Sequence, residues 1–194
     1  AALVGEYLIA RVGRVPARAK IASEFDPVCM ALGDSLVVGI SQSGETADTL
    51  RALQKAKALG CPTVAITNVP GSSVTRLVDR VIYTHCGPEI GVAATKTFTA
   101  QLVALYLVAF SLASLDLISR EGVLAELRLL PARIAQVLDG EETIAFLGRE
   151  LARHEHAFFI GRGLSYPVAM EGALKLKEIS YIHAEAYPGG EIKH

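Results

Sequence analysis

The side chains best suited to acid–base chemistry in this sequence are two glutamates and a lysine. Glu171, Lys175 and Glu178 are spaced i, i+4 and i+7, which places all three on one face of a helix. A carboxylate in such a group can take up and return a proton, and an ammonium group beside it can stabilise negative charge. The same spacing also fits a solvated helix face stabilised by Glu–Lys pairs, and spacing alone favours this second interpretation.

A second candidate site is an elbow between an apolar stretch and a helical pattern, in VVGISQSGETADTL (37–50). Its polar and flexible residues are Ser41, Gln42, Ser43, Gly44 and Thr46. Hydroxyl and amide groups at the start of a helix add donors to the free backbone N–H groups of the first turn, which attract an anion. The elbow lacks the lysine of a nucleoside-triphosphate loop, so it favours a small phosphate monoester.

The elbow also fits an ordinary helix cap, because serine and threonine are preferred residues at that position. Glu45 places a negative charge beside the hydroxyl groups, which opposes anion binding unless its side chain turns away. The residues alone therefore leave the anion site and the cap equally open.

Strands and helices alternate along the chain in the manner of a parallel α/β sheet. Strands are predicted at 17–22, 35–41, 62–68, 80–85 and 156–161, and helices at 2–13, 46–60, 92–118, 123–138 and 167–180. Ligands of such sheets bind beyond the carboxyl ends of the strands, where the elbow lies. The strand–loop–helix order of 35–60 recurs at 156–180, which indicates two similar α/β halves joined by a helical linker.

We therefore expect a doubly wound, three-layer α/β fold in two unequal parts. A first domain is predicted at 1–118, a helical linker at 119–143, and the N-terminal part of a second domain at 144–194. The chain begins without a methionine and ends in a segment predicted to be a loop, so we expect a fragment of a longer protein.

Composition argues against several classes of function. The 194 residues are 51% hydrophobic and 20% charged with a formal net charge of −1, so the chain can bury a core and has no basic patch for nucleic acid. Three widely spaced cysteines and the lack of a signal peptide favour the cytoplasm. Residues 97–115 carry no charge, but their apolar part is too short for a membrane span.

Four segments carry a resemblance to a known family: SQSGETADTL (41–50), NVPGSS (68–73), GPEIGVAATKTFTAQ (87–101) and EGALKLKEISYIHAEAYPGGEIKH (171–194). Together they closely resemble the isomerase part of the glutamine–fructose-6-phosphate aminotransferases, or glucosamine-6-phosphate synthases. That part consists of two sugar isomerase (SIS) domains. The resemblance implies conversion of fructose 6-phosphate and glutamine-derived ammonia to glucosamine 6-phosphate, without a metal or an organic cofactor.

The resemblance also assigns residues to the elbow. Ser41, Gln42, Ser43 and Thr46 match the residues that hold the sugar phosphate, which favours the anion site over the cap. Val92 matches a residue that lines the sugar pocket.

In the last segment, Glu178 matches the base that moves a proton between C1 and C2 of the sugar. Lys175 matches a residue that assists at the oxygens of these carbons, and Glu171 one that supports the site. His194 matches a histidine that opens the sugar ring and comes from the neighbouring subunit, so the resemblance implies a homodimer with shared sites. The family's glutaminase domain has no counterpart in this chain, which we therefore expect to be inactive alone.

Two other functions remain open. A different SIS-type phosphosugar isomerase or deaminase would share the elbow but need not share KLKEISYIHAE (175–185). A non-catalytic phosphosugar sensor, as in transcription regulators, would have no use for Glu178 and Lys175.

Two minor patterns are interpreted as structural, and a third stays open. GRGLSY (161–166) lacks the third glycine of a dinucleotide loop and is predicted to be a strand–helix turn. The histidines of HEH (154–156) are predicted to be solvated rather than metal ligands. Asn68, Gly71 and Ser72 fit either a pocket wall or an ordinary turn.

Overall fold

A computed structural model describes residues 1–26, 34–113 and 117–193. The chain divides into two units, Ala1–Ser111 and Leu112–His194. Each unit contains its own parallel sheet with at least one helix packed on it, which confirms the expected α/β class.

The first unit contains a three-stranded parallel sheet in the order β1–β2–β3. Its strands are β1 (Val37–Ile40), β2 (Thr63–Thr67) and β3 (Arg80–Tyr83), and its helices are α1 (Ala2–Arg11), α2 (Ala47–Ala58), α3 (Ser73–Leu77) and α4 (Lys96–Leu112), which ends at the unit boundary. Val38 pairs with Val64, and Ile66 pairs with Ile82. These β-branched side chains suit a covered strand, and α2 provides the crossover that parallel strands require.

The apolar side of α2 packs on this sheet. Leu53 is fully buried in a cluster with Ala65 of β2 and Val74 of α3, and burial of a leucine stabilises a fold by roughly 1.5–3 kcal/mol. Gly39 of β1 lets the helix approach closely, because a Cβ there would lie 2.6 Å from Leu53 Cδ1. The elbow between β1 and α2 is thus held by two elements that are packed tightly together.

Asp79 fastens the amino end of β2. Its Oδ2 accepts hydrogen bonds from the backbone N and the hydroxyl of Thr63, both at 2.8 Å, and its Oδ1 lies 3.2 Å from Lys57 Nζ. The hydrogen bonds from Thr63, followed by the hydrogen bond and charge of Lys57, lower the pKa of Asp79 to about 2.

The second unit contains a two-stranded parallel sheet. Its strands are β4 (His156–Gly161) and β5 (His183–Pro188), and its helices are α5 (Leu117–Arg128), α6 (Leu130–Leu138), α7 (Glu141–Leu151) and α8 (Ser165–Ser180). Ala157, Ala173 and Ala184 form the buried contact between α8 and the sheet. Gly172 brings the helix closer still, since a Cβ there would lie 2.9 Å from the Phe159 ring.

The strands predicted at 35–41, 62–68, 80–85 and 156–161 and the helices predicted at 2–13, 46–60 and 167–180 are confirmed, with small differences at their ends. The strand predicted at 17–22 is wrong. Residues 17–21 lie outside regular structure, and Ala22–Glu24 form a short 3₁₀ helix. The backbone here is held by a side chain instead of a neighbouring strand, since Ala19 N donates to Glu6 Oε2 at 2.6 Å.

The long helix predicted at 92–118 begins only at Lys96 and ends at Leu112. The helix predicted at 123–138 is divided between α5 and α6, and Pro131 lies in the first turn of α6 as expected. Helices α3 and α7 and strand β5 were not predicted. In the described ranges, no helix combines the length and the apolar character needed to cross a membrane.

Candidate functional site

The elbow lies at the carboxyl end of β1 and is bound to its neighbours by the backbone. Ser41 N donates to Ile66 O of β2 at 3.1 Å, and Val74 N of α3 donates to Gly44 O at 3.0 Å. Gly44 has a φ of +69°, and a Cβ at this position would lie 2.2 Å from Ser72 Oγ. Glycine is therefore required here for both its conformation and its size.

The hydroxyl residues of the elbow lie together. Ser41 Oγ and Thr46 Oγ1 are 2.9 Å apart, and Ser41 Oγ also accepts a hydrogen bond from Gly44 N at 3.1 Å. Ser43 Oγ accepts one from Glu45 N at 3.2 Å. Ser41 is buried and Thr46 is exposed, so the cluster extends from the sheet edge to the surface.

The cap interpretation does not fit this geometry. Thr46 occupies the N-cap position of α2, but its side chain makes no capping hydrogen bond and its hydroxyl pairs with Ser41 instead. In the described part of the chain, no side-chain hydrogen bond caps the first-turn N–H groups of α2. These donors are free to bind an external acceptor.

The Glu45 side chain turns away from the elbow. Its Oε1 accepts a hydrogen bond from Ser73 N at 2.7 Å, at the start of α3. Hydrogen bonds from Ser73 lower the pKa of Glu45, so its carboxylate is charged at neutral pH and is held by the neighbouring helix. The sequence allows an anion site here only if the Glu45 side chain turns away, and the structure meets that condition.

Val92 lies in an exposed loop before α4. Its side chain is 97% exposed, and Ile90 beside it is 95% exposed. The end of the loop is held by Glu89, whose carboxylate accepts four hydrogen bonds of 2.8–3.3 Å from the backbone and hydroxyl groups of Thr95 and Thr97. Those from Thr97, followed by those from Thr95, lower the pKa of Glu89. Because the carboxylate caps α4, the helix starts four residues later than predicted.

In the second unit, α8 brings its three charged residues together on one face as predicted. Lys175 Nζ lies 2.5 Å from Glu178 Oε2 and 3.5 Å from Glu171 Oε1. The side chains of Lys175, Glu171 and Glu178 are only 20%, 21% and 33% exposed. Glu171 and Lys175 are thus half-buried, whereas Glu178 lies at the exposed end of the face.

Burial lowers the pKa of Lys175, but its hydrogen bond to Glu178 and the charges of both glutamates outweigh that effect. The pKa is therefore raised above its ordinary value. The ammonium group stays charged between the carboxylates, which is the arrangement needed to stabilise an oxygen that becomes negative during a reaction.

The remaining candidates are placed as follows. His194 lies outside the described residues. His156 pairs with His183 of the neighbouring strand, with 3.3 Å between their Nδ1 atoms. Across residues 1–26, 34–113 and 117–193, no three His, Cys, Asp or Glu side chains converge as metal ligands. The elbow belongs to the first unit and the charged face of α8 to the second.

The structure gives two residues roles that the sequence did not assign: Asn68, which fitted either a pocket wall or an ordinary turn, and Glu89, which was not singled out. Glu89 and Asn68 both hold loops at the carboxyl edge of the sheet through contacts with residues that are distant in sequence. For Asn68 the only available signal was its position directly after a strand.

The SIS domain family model matches residues 1–111 and 150–194. The chain is 49% identical over 204 residues to the isomerizing glutamine–fructose-6-phosphate aminotransferase of Caldanaerobacter subterraneus subsp. tengcongensis, and 54% identical over 201 residues to that of Gloeobacter violaceus. Both alignments cover 100% of this chain and 33% of the relative, so the chain spans about a third of the length of these curated relatives.

Solved structures show the same fold. The C-terminal domain of glucosamine-fructose-6-phosphate aminotransferase from Francisella tularensis has a TM-score of 0.91 and 45% identity, with coverage of 100% of this chain and 56% of that one. Glucosamine-6-phosphate deaminase from Thermotoga maritima has a TM-score of 0.74 at 22% identity and covers 99% of this chain and 58% of that one, which supports the fold alone.

Proposed function

The chain belongs to the SIS domain family, and we propose from this premise that it is the isomerase part of an enzyme that makes glucosamine 6-phosphate. The observation that carries the proposal is the Glu171–Lys175–Glu178 face of α8, where a half-buried lysine lies between two carboxylates. A protein that only senses a phosphosugar needs the elbow but not a lysine held between two carboxylates. The identity of about half the residues to isomerizing aminotransferases supports the same choice.

The elbow binds the phosphate group of the sugar. Its first-turn N–H groups, its hydroxyl groups and the Gln42 amide supply neutral donors, while Glu45 is kept away by Ser73. A site built of donors without a cation suits a phosphate monoester on a small molecule and leaves the sugar itself to other contacts. Val92 supplies one of these contacts from its exposed loop.

Glu178 moves the proton. Transfer of the carbonyl function from C2 to C1 requires removal of a proton from C1 and its return to C2, and one carboxylate above both carbons performs both steps. Between the steps the electrons of the broken C–H bond reside on the enol-type oxygen, and Lys175 stabilises that negative charge. Glu171 holds Lys175 from the other side, at 3.5 Å.

The rest of the reaction depends on a second subunit and on a source of ammonia. His194 opens the sugar ring in a partner subunit, so the active form is a homodimer with shared sites. Ammonia comes from a glutaminase domain, and the enzyme works in the cytoplasm. The proposal requires neither a metal nor an organic cofactor.

Calorimetric titration of the chain with glucosamine 6-phosphate tests the proposal. Inorganic phosphate and unphosphorylated glucosamine are the ligand controls, and a Ser43→Ala, Thr46→Ala double variant is the protein control. We expect saturable binding of the phosphosugar, no binding of glucosamine, and loss of binding in the variant. If the folded chain and the complete gene product both fail to bind the phosphosugar, the proposal is wrong.

A further inference from the structure

Asn68 is the first residue after β2 and lies at the carboxyl edge of the sheet, beside the elbow. Its backbone N–H donates to Gln42 O at 3.1 Å. The hydroxyl of Thr67 donates to the same oxygen at 3.3 Å. The backbone of Gln42 is therefore fixed by Thr67 and Asn68 at the carboxyl end of β2.

The side chain of Asn68 holds a different segment, the residues that follow β3. Its Nδ2 donates to Gly87 O at 2.6 Å. Its Oδ1 accepts hydrogen bonds from Cys86 N at 3.0 Å, from the Thr84 hydroxyl at 3.1 Å and from the Cys86 thiol at 3.2 Å. Segment 84–87 leads directly into the loop that carries Val92.

An asparagine in an ordinary turn bonds to backbone groups only a few residues away. The partners of the Asn68 side chain are 16 to 19 residues away in sequence. The side chain is half-buried, and both its donor and its acceptor are engaged, so its loss leaves several polar groups of the loop without a partner.

We infer that Asn68 is a positioning residue of the phosphosugar site, which fixes the elbow and the Val92 loop relative to each other. The inference rests on the proposed function, since it concerns the affinity of that site. Asn68 itself is not placed in contact with the sugar, so its effect is on ligand affinity and not on the proton transfer.

The test compares Asn68→Ala and Asn68→Asp with the wild type in the complete gene product that contains this chain. Asn68→Asp keeps the size of the side chain and its acceptor oxygen but replaces the amide group that donates to Gly87 O. Thr75→Ala is the matched control, because the Thr75 hydroxyl makes a single local hydrogen bond, to Ser72 O at 2.7 Å. Three quantities are measured: the Kd for glucosamine 6-phosphate, amide hydrogen exchange of residues 84–92 without ligand, and the proton-exchange rate at saturating fructose 6-phosphate.

We expect both Asn68 variants to bind the phosphosugar about tenfold more weakly, equivalent to ~1.4 kcal/mol. Amides of residues 84–92 should exchange faster, and the saturated rate should equal that of the wild type. Thr75→Ala should change none of the three quantities.

Unchanged affinity in both Asn68 variants would overturn the inference and leave the proposed function intact. An equal loss of affinity in Thr75→Ala would also overturn it, because the effect would then be one of general stability. If the wild type itself does not bind the phosphosugar, the proposed function fails first. Amide exchange then decides whether Asn68 holds the loop, and unchanged exchange rejects that role as well.

Discussion

The elbow of the first unit and the charged face of α8 in the second are built by different means. The elbow is fixed by its backbone, with Gly44 in a left-handed conformation and its neighbours bonded to two adjacent elements. The α8 face consists of three long side chains that form ion pairs with one another. Binding a phosphate requires donors that stay in place, whereas moving a proton requires groups whose charge can change. The two regions should therefore respond to different kinds of substitution.

The largest effect should come from removal of one charge on α8. Glu178→Gln keeps the size of the side chain but removes the base, so exchange of the C1 proton of fructose 6-phosphate with D₂O should fall by roughly 10²–10⁴-fold. Phosphosugar binding should stay within a few-fold, because the elbow is unchanged. Proton NMR of the sugar measures the exchange in the complete gene product.

The matched control is Glu150→Gln on α7, where a partly exposed glutamate pairs with Arg153 at 3.0 Å. This variant should exchange the sugar proton at the wild-type rate. If the sugar proton still exchanges at the wild-type rate in Glu178→Gln, Glu178 is not the base. The proposed difference in function between the elbow and the α8 face is then wrong as well.

The second-largest effect should come from one methyl group in the elbow. Gly44→Ala places a Cβ against Ser72 and forces a positive φ on alanine, which costs about 1–2 kcal/mol before the clash is counted. The elbow must shift, so phosphosugar affinity should fall by at least about tenfold. Calorimetric titration measures the affinity, and thermal unfolding measures the stability.

Gly60→Ala separates conformational strain from the clash. Gly60 also has a positive φ, of +78°, but a Cβ there meets no atom within 4 Å in the described structure. The Gly60→Ala variant should therefore lose stability without losing affinity for the phosphosugar. An equal loss of affinity in both variants would show that binding follows stability and not elbow geometry.

A smaller effect should appear at low pH through Asp79. Its pKa is about 2 in the folded chain and 3.8 when unperturbed, so its hydrogen bonds stabilise the fold above pH 3.8 and are lost as the pH falls through about 2. The free energy of unfolding should decline over that window in the wild type and less in Asp79→Asn. Urea titrations between pH 2 and 5 measure the difference. Phosphosugar affinity at pH 7 should be equal in the two proteins. A large difference would mean that the amino end of the sheet also affects binding at the elbow.

The smallest effect should be seen at high pH through Lys175. Its raised pKa means that the ion pairs stabilise the fold fully below the ordinary value of 10.5 and are lost as the pH rises through the higher folded value. Lys175→Met should therefore have a flatter stability profile above pH 10 than the wild type. Identical stability profiles in the two proteins would indicate that the α8 ion pairs do not contribute to the free energy of unfolding. Catalysis would then be their remaining role.

The sequence predicted the parts of the fold that depend on local pattern. Strand β2 and helix α2 have strong periodicity and clear ends, and the elbow lies between a strand and a helix that were both recognised. The predicted strand at 17–22 was wrong because alternation of side chains does not reveal whether a neighbouring strand is available. Strand β5 was missed because its exposed face carries His183 and Glu185 in place of apolar residues.

The candidate site was predictable in its residue types but not in its electrostatics. The spacing of Glu171, Lys175 and Glu178 predicted their common face, but the partial burial of Glu171 and Lys175 depends on the packing of the whole unit. The direction of Glu45 depends on Ser73, 28 residues further along the chain. No pattern within the elbow contains that information.

The hydrogen bond between Glu45 and Ser73 also determines how much of this protein would have to be moved to transplant the proposed anion site. The motif SQSGET (41–46) grafted alone onto another scaffold would bring an unpaired carboxylate to the site it is meant to create. The host would also lack the serine against which Gly44 lies. The smallest transferable module is therefore the continuous stretch from β1 to the end of α3, residues 37–77, which contains both the proposed site and the N–H group that binds its acidic residue.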